Sequence, residues 1–296
     1  MLLCAFLSGC VPTGDIERPP DAVWGRRGIG EGRLQKPRGL TLDDRGNVYI
    51  VDMTARIQVF DADGRYLRGW STPEHETGKP TGISVDRNGN IVVPDTHYFR
   101  VLFYSPEGEL LDTWGGTNGS GPGEFGFVTD VVQDSQGNYY VSEYGGHDRI
   151  QKFSPEGEYL LEWGGHGDAP GRFSRPQSMA VDEHDRIWVA DACNHRIQVF
   201  DTEGNLLQYW GKQGHAPGEL FYPYGLCFGP DDTVFVCEFG NHRVQQFTRD
   251  GKWLAAWGGP GKEPGRLNNP WAVAYDGAGN LFVLDTNNHR VQRIRW

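Results

Sequence analysis

Six acidic residues recur along this 296-residue chain, each followed closely by an arginine: Asp52 with Arg56, Asp95 with Arg100, Glu143 with Arg149, Asp191 with Arg196, Glu238 with Arg243 and Asp285 with Arg290. Six carboxylates around one axis would suit a cation. Each, however, has a guanidinium at hand, and the planar Arg fork matches a carboxylate bidentately. The set therefore reads as one structural pair per repeat, bracing a turn. Histidines recur in the same stretch: His97, His147, His195, His242 and His289. Imidazole is a common zinc ligand, so the question becomes whether any fold brings these rings together.

The elements that carry them repeat. Pro37–Trp70, Pro80–Trp114, Val128–Trp163, Pro176–Trp210 and Pro223–Trp257 share one pattern, and Pro270–Trp296 is a sixth, truncated copy. The starts lie 43 to 48 residues apart, the period of a four-stranded propeller blade and not of a helical solenoid. Each copy offers a first strand such as Pro80-Thr81-Gly82-Ile83-Ser84-Val85, a Gly-Asn turn, and a β-branched second strand such as Ile187-Trp188-Val189-Ala190. A third strand such as Arg196-Ile197-Gln198-Val199-Phe200 follows, then a fourth ending in Trp. Along the first strand large apolar residues (Leu40, Ile83, Val131, Met179, Leu226, Val273) alternate with mostly small ones (Thr41, Ser84, Val132, Ala180, Cys227, Ala274). A large face can then nest against a small one on the next blade. The last copy ends after its third strand, and Trp24-Gly25 at the other end supplies the missing sixth Trp. The expected fold is all-β: a six-bladed propeller of four-stranded antiparallel blades, closed by an N-terminal strand.

Strand spacing of ~4.8 Å puts the acid–arginine turn roughly 14 Å from the axis. In a hexagonal ring neighbours are separated by the radius, so the turn histidines cannot share a metal, and none is expected. The residue after each repeat start lies much nearer the axis, at the mouth of the central channel. These residues are Arg38, Thr81, Thr129, Gln177, Tyr224 and Trp271. One cation, three neutral hydrogen-bonding groups and two aromatics make a ligand-recognition mouth, or one filled by packing and water. The chain holds no Gly-x-Ser-x-Gly elbow, His-Glu-x-x-His pair or phosphate loop. No cofactor and no catalytic residue is assigned.

Composition narrows the partners. A formal net charge of −11 argues against nucleic acid, whose affinity rests on Lys/Arg–phosphate contacts. Gly 42 and Pro 18 indicate many turns. Cys193, Cys227 and Cys237 in the body read as small core residues, and three cannot all pair with one another.

The start of the chain, MLLCAFLSGC, is apolar, and its Leu7-Ser8-Gly9-Cys10 resembles the lipobox of bacterial lipoproteins. The resemblance implies that residues 1–10 are a signal segment, that Cys10 is lipidated, and that the protein sits in the cell envelope facing the periplasm or exterior. No Lys or Arg precedes the run, so a start further upstream and a chance apolar tail stand as alternatives. Residues 11–21 are expected to form a tether and 22–296 the propeller, a monomer reaching the membrane only through lipid.

Arg56-Ile57-Gln58-Val59-Phe60, Arg196-Ile197-Gln198-Val199-Phe200 and the turns Asn194-His195-Arg196, Asn241-His242-Arg243 and Asn288-His289-Arg290 resemble NHL repeats. That resemblance implies a six-bladed propeller but no single activity. A more distant similarity is to peptidyl-α-hydroxyglycine α-amidating lyases, whose zinc histidines stand in segments like Pro-His-Gly and Pro-His-Ser. Here the corresponding segments are Pro37-Arg38-Gly39 and Pro176-Gln177-Ser178. The expectation is a membrane-anchored platform for a protein, peptide or glycan, with a lyase or hydrolase of that type as the alternative.

Anchoring at Cys10 is tested by Cys10→Ser, which should move the protein from the membrane to the soluble fraction, since two or more acyl chains give stable anchoring. A wild-type protein that is already soluble and carries no lipid mass would exclude it.

Overall fold

The computed structural model describes residues 14–296; Cys10 and the apolar start lie outside them. Six antiparallel four-stranded sheets surround one axis, and their innermost strands touch in a closed ring. Blade one shows the plan: Pro37–Leu42 nearest the axis, then Val48–Asp52, Arg56–Phe60 and, outermost, Tyr66–Ser71. Blades two to five follow it, with innermost strands Ser84–Val85, Phe127–Gln133, Pro176–Val181 and Pro223–Phe228. Blade six runs Ala272–Tyr275, Asn280–Asp285 and Arg290–Arg295, and Ala22–Trp24 completes it, pairing Trp24 with Val291. The ring closes through the N-terminal strand, as the orphaned Trp24 predicts.

The apolar core is divided among the blade interfaces. Tyr49, Val51 and Ile57 of blade one pack on Ile83, Ile91 and Leu102 of blade two, and Phe235 and Val244 of blade five pack on Val273 and Leu281 of blade six. The outer-strand Trp adds a second contact. Trp70 lies against Gly108 of the next blade, and Trp24 lies against Gly64 of blade one in the same way. Both glycines have positive φ, and a Cβ at either would fall within 2.6 Å of the indole. Only glycine satisfies the turn and the contact together.

Among the described residues no such glycine of blade six lies against Trp257 of blade five. Residues 14–21, expected as a tether, take its place. Gly14–Asp15 adds as a fifth, parallel strand beside Ala255 and Ala256. Ile16 packs into the blade five–six cluster beside Trp296, and the Trp257 indole N–H donates to the Arg18 carbonyl at 3.1 Å. Docked in this way, the segment pairs the free edge of blade five before the chain enters blade six.

Removing residues 1–27 should therefore unpair Arg290–Arg295 and uncover Trp257, giving aggregation and a lower melting temperature. Trp24→Ala alone, which empties a buried site, should cost about 3 kcal/mol or more in a denaturant titration. A truncated chain that stays monomeric and melts like the full one would refute the closure.

Candidate functional site

Each of the six acid–arginine pairs forms an ion pair. Asp52–Arg56 bond directly, and the Arg Nε to carboxylate distances are 2.9 Å for Arg100–Asp95, 2.5 Å for Arg149–Glu143, 2.8 Å for Arg196–Asp191, 2.6 Å for Arg243–Glu238 and 2.6 Å for Arg290–Asp285. They do more than brace their own turn. Arg196 also donates to the carbonyls of Asp168, Ala169 and Arg172 in the loop entering its blade. Gln198, two residues on, donates Nε2 to the Arg172 carbonyl and to Asp191, and its Oε1 accepts from Gly171 N–H. Asp191 in turn accepts the Ser174 N–H at 2.8 Å. Gln245 and Gln292 repeat this in blades five and six. Sequence reading passed over the glutamines, although the spacing Arg-x-Gln recurs visibly.

The histidines do not share one place. His195, His242 and His289 stand directly before the arginine, in the left-handed region at φ 56, 55 and 58. Phe99 and Asp148 hold that position in blades two and three, so His97 and His147 lie earlier in their turns. Each of the three aligned rings accepts, on Nδ1, a backbone N–H of the next blade: Tyr222 to His195 at 3.1 Å, Asn269 to His242 at 2.9 Å and Lys36 to His289 at 3.0 Å. An acceptor Nδ1 requires the neutral ring, and burial holds all three below the ordinary His range.

At the mouth, Arg38, Thr81, Gln177, Tyr224 and Trp271 border one cavity of about 240 Å³ on the axis. Thr129 does not. Its hydroxyl reaches only its neighbours, meeting Ser142 Oγ at 2.7 Å and donating to the Pro176 carbonyl at 2.6 Å. Asp130 faces the cavity instead, where the other blades have Gly39, Gly82, Ser178, Gly225 and Ala272. It accepts the Met179 and Val131 N–H groups at 2.8 and 2.9 Å, and burial pushes its carboxyl up to about 7.

Aromatic rings frame the mouth. Tyr224 lies 4.6 Å from Phe239 and 4.8 Å from Trp271, centroid to centroid. Tyr222 packs against the same apolar cluster and, with Phe221 and His195, forms a second group of rings, His195 lying 4.7 Å from Tyr222. Among the described residues the turn histidines do not gather into a metal-holding group, and none borders the cavity. Arg175, which sequence reading did not single out, lies over Tyr144 and Tyr224 at 4.8 and 5.4 Å. It precedes the repeat start at φ 60, a place a pattern begun at Pro176 leaves out.

Zinc of the lyase kind does not fit these residues. Arg38, Thr81, Thr129, Gln177, Tyr224 and Trp271 include no histidine, and among the described residues no three His, Cys, Asp or Glu converge to hold a metal. Cys193, Cys227 and Cys237 are unpaired among the described residues, and burial pushes the Cys227 and Cys237 thiols up.

Comparison with known proteins agrees with this plan. The NHL repeat family pattern matches residues 173–200, 222–247 and 267–294. NHL repeat-containing protein 3 of Mus musculus is 30% identical over 165 residues, 50% of this chain and 47% of that protein. A probable peptidyl-alpha-hydroxyglycine alpha-amidating lyase of Caenorhabditis elegans is 28% identical over 164 residues, 46% of this chain and 45% of that one. The chain thus spans about half the length of these two relatives. A streptogramin B lyase structure superposes with a TM-score of 0.62 at 18% identity, over 92% of this chain and 85% of that one; at that identity the likeness is one of fold.

The three histidine–backbone bonds make stability pH-dependent. With folded-state pKa values lowered, their contribution is complete above about 6.5, the unfolded value, and is lost as pH falls through the folded values. Melting temperature should drop on going from pH 7 to 5, and less so in a His195→Ala, His242→Ala, His289→Ala triple variant. Equal drops would show that these rings carry no such linkage.

Six closed blades make this chain a six-bladed β-propeller, and three of them, each with an Asn-His-Arg turn, carry sequence matched by the NHL repeat.

Proposed function

We propose that this propeller is a binding module, held at the cell envelope through Cys10, that takes a protein, peptide or glycan on the face bearing the channel mouth. The carrying observation is the aromatic cluster of Tyr224, Phe239 and Trp271, with Tyr222 packed against the same core, beside Arg38 and Arg175. Aromatic and Arg side chains dominate binding energy when gathered at the centre of an interface, and here Arg38, Tyr224 and Trp271 border the axial cavity. The lyase alternative draws on the relatives' names. It would need zinc held by residues other than those at the mouth, and turnover of a peptidyl-α-hydroxyglycine by the purified protein would replace the binding reading.

The test is photo-crosslinking in the intact envelope from two positions. A photoreactive residue at Tyr222 should give a discrete adduct. The same residue at Leu207, exposed on the outer strand of blade four, should not. Adducts from Leu207 alone, or from both alike, would place binding elsewhere.

A further inference from the structure

We propose that the mouth of the central channel is a carboxylate site, built to take an acid group carried on an apolar body. This rests on the binding face assigned above and adds the chemistry of what is bound there. The argument starts from unpartnered polar atoms. Among the residues lining the cavity, the buried side-chain atoms without a hydrogen-bond partner are Arg38 Nε, Gln177 Nε2 and Trp271 Nε1. All three are N–H donors, and no buried side-chain acceptor of the lining is left over. Leaving a buried donor unmade is costly, so such groups normally meet a partner.

The donors are also fixed in place. Gln177 is 2% exposed, and its Oε1 accepts Arg175 Nε at 3.0 Å, which leaves the amide nitrogen as its free end. Trp271 is 8% exposed. The Arg38 guanidinium lies over the Trp271 ring at 5.2 Å, while Arg175 is held by Tyr144 and Tyr224. Rings that hold the cations reduce the ordering cost of using them.

Charge points the same way. Among the described residues neither Arg38 nor Arg175 belongs to an ion pair, although the whole chain is acidic. Burial and the charge of Arg175 both pull the Arg38 pKa down, so two guanidiniums act on one another without an acidic ion-pair partner. An anion would neutralise that charge, which water only screens. Asp130, the one acid lining the cavity, is engaged by the Met179 and Val131 N–H groups, and burial pushes its carboxyl up to about 7, so at neutral pH it supplies only part of one counter-charge to two guanidiniums.

Shape and chemistry select the rest of the ligand. A planar guanidinium beside single N–H donors suits a planar carboxylate. Tyr224, backed by Phe239, and Trp271 offer apolar walls to what the carboxylate is attached to. About 240 Å³ is below the range of drug-sized sites, so the occupant is a small acid or the terminal residue of a chain.

The experiment uses calorimetry on the full-length protein with 3-phenylpropionate, its amide, inorganic phosphate, and a tripeptide ending in phenylalanine with a free or an amidated C-terminus. The free acid should bind, and the amide should bind about tenfold or more weakly, as expected when a charge-assisted hydrogen bond is lost. Arg38→Gln and Trp271→Phe, which keeps the ring and removes the donor, should each weaken the acid by a similar factor, and Leu207→Ala should not. If either mouth variant misfolds, the acid-to-amide ratio in the wild type decides. A tripeptide acid that binds more tightly than 3-phenylpropionate identifies a chain terminus, and equal affinity identifies a free acid; either supports the site. Equal binding of acid and amide, or phosphate binding as tightly as the acid, overturns it. So does silence from every probe, and in that case an adduct from Tyr222 would leave the binding face standing without its carboxylate chemistry.

Discussion

The loop that enters each blade is held by a buried carboxylate, and the rest of the ring depends on that anchorage. Asp191 shows the arrangement most fully: its two oxygens accept from Ser174 N–H, Asn194 Nδ2, Arg196 Nε and Gln198 Nε2. A buried ion pair on its own is weak evidence of stability, because desolvation can exceed the Coulombic gain. Here the charges are also saturated by hydrogen bonds. Arg196 spends its remaining donors on loop carbonyls, so the pair ties the loop to the sheet. The loop's buried apolar residue, Phe173, closes the same turn through a parallel bridge to His166. Leu34, Phe125, Leu220 and Leu267 do so in four other blades. Where the loop is fixed, the start of the innermost strand is fixed too, and with it the residue at the channel mouth.

Blade two shows what happens when the set is incomplete. Leu102 stands where the other blades have glutamine. Arg100 turns to Pro73 and Glu74, Asp95 Oδ1 is left without a partner, and no parallel bridge closes the loop. Its innermost strand shrinks to Ser84–Val85. Burial pushes the Asp95 carboxyl up, with Arg100 alone opposing it through direct bonds. The acid and arginine thus survive without the glutamine, but the regular entry into the blade does not.

The blade plan was legible because it rests on local repetition. Trp24 could be assigned to blade six from the spacing of Trp-Gly alone. What escaped depended on contacts between distant parts. Nothing in the composition of residues 14–21 marks a strand. They dock on Trp257, the outer-strand Trp that has no glycine turn of the next blade against it, which is a property of the assembled ring. Alternation also misjudged Thr129, since a threonine is short enough to satisfy its hydroxyl on the adjoining blade and leave the channel to Asp130. The histidines were grouped by their turn, when the position that matters is the left-handed one before the arginine. Histidine tolerates that conformation better than most residues, and there its ring meets the next blade.

These two levels of organisation explain why the mouth can hold chemistry at all. Across the six repeats of this one chain the acid is always Asp or Glu and its partner always Arg, whereas the mouth position is Arg, Thr, Thr, Gln, Tyr and Trp in turn. A position that stabilised the blade would be expected to repeat, as the acid, the arginine and the terminal Trp do. The mouth residues differ because the loop anchorage behind them and the blade-interface clusters outside them already hold the inner strands. That leaves them free to diverge, and four of them have done so in one direction. Arg38, Gln177 and Trp271 present donors without partners, Tyr224 walls them with Phe239, and Arg175 joins from the residue before the strand. Unpaired buried donors detract from stability, and three that border one cavity are within reach of a single ligand, as those scattered through the blades are not.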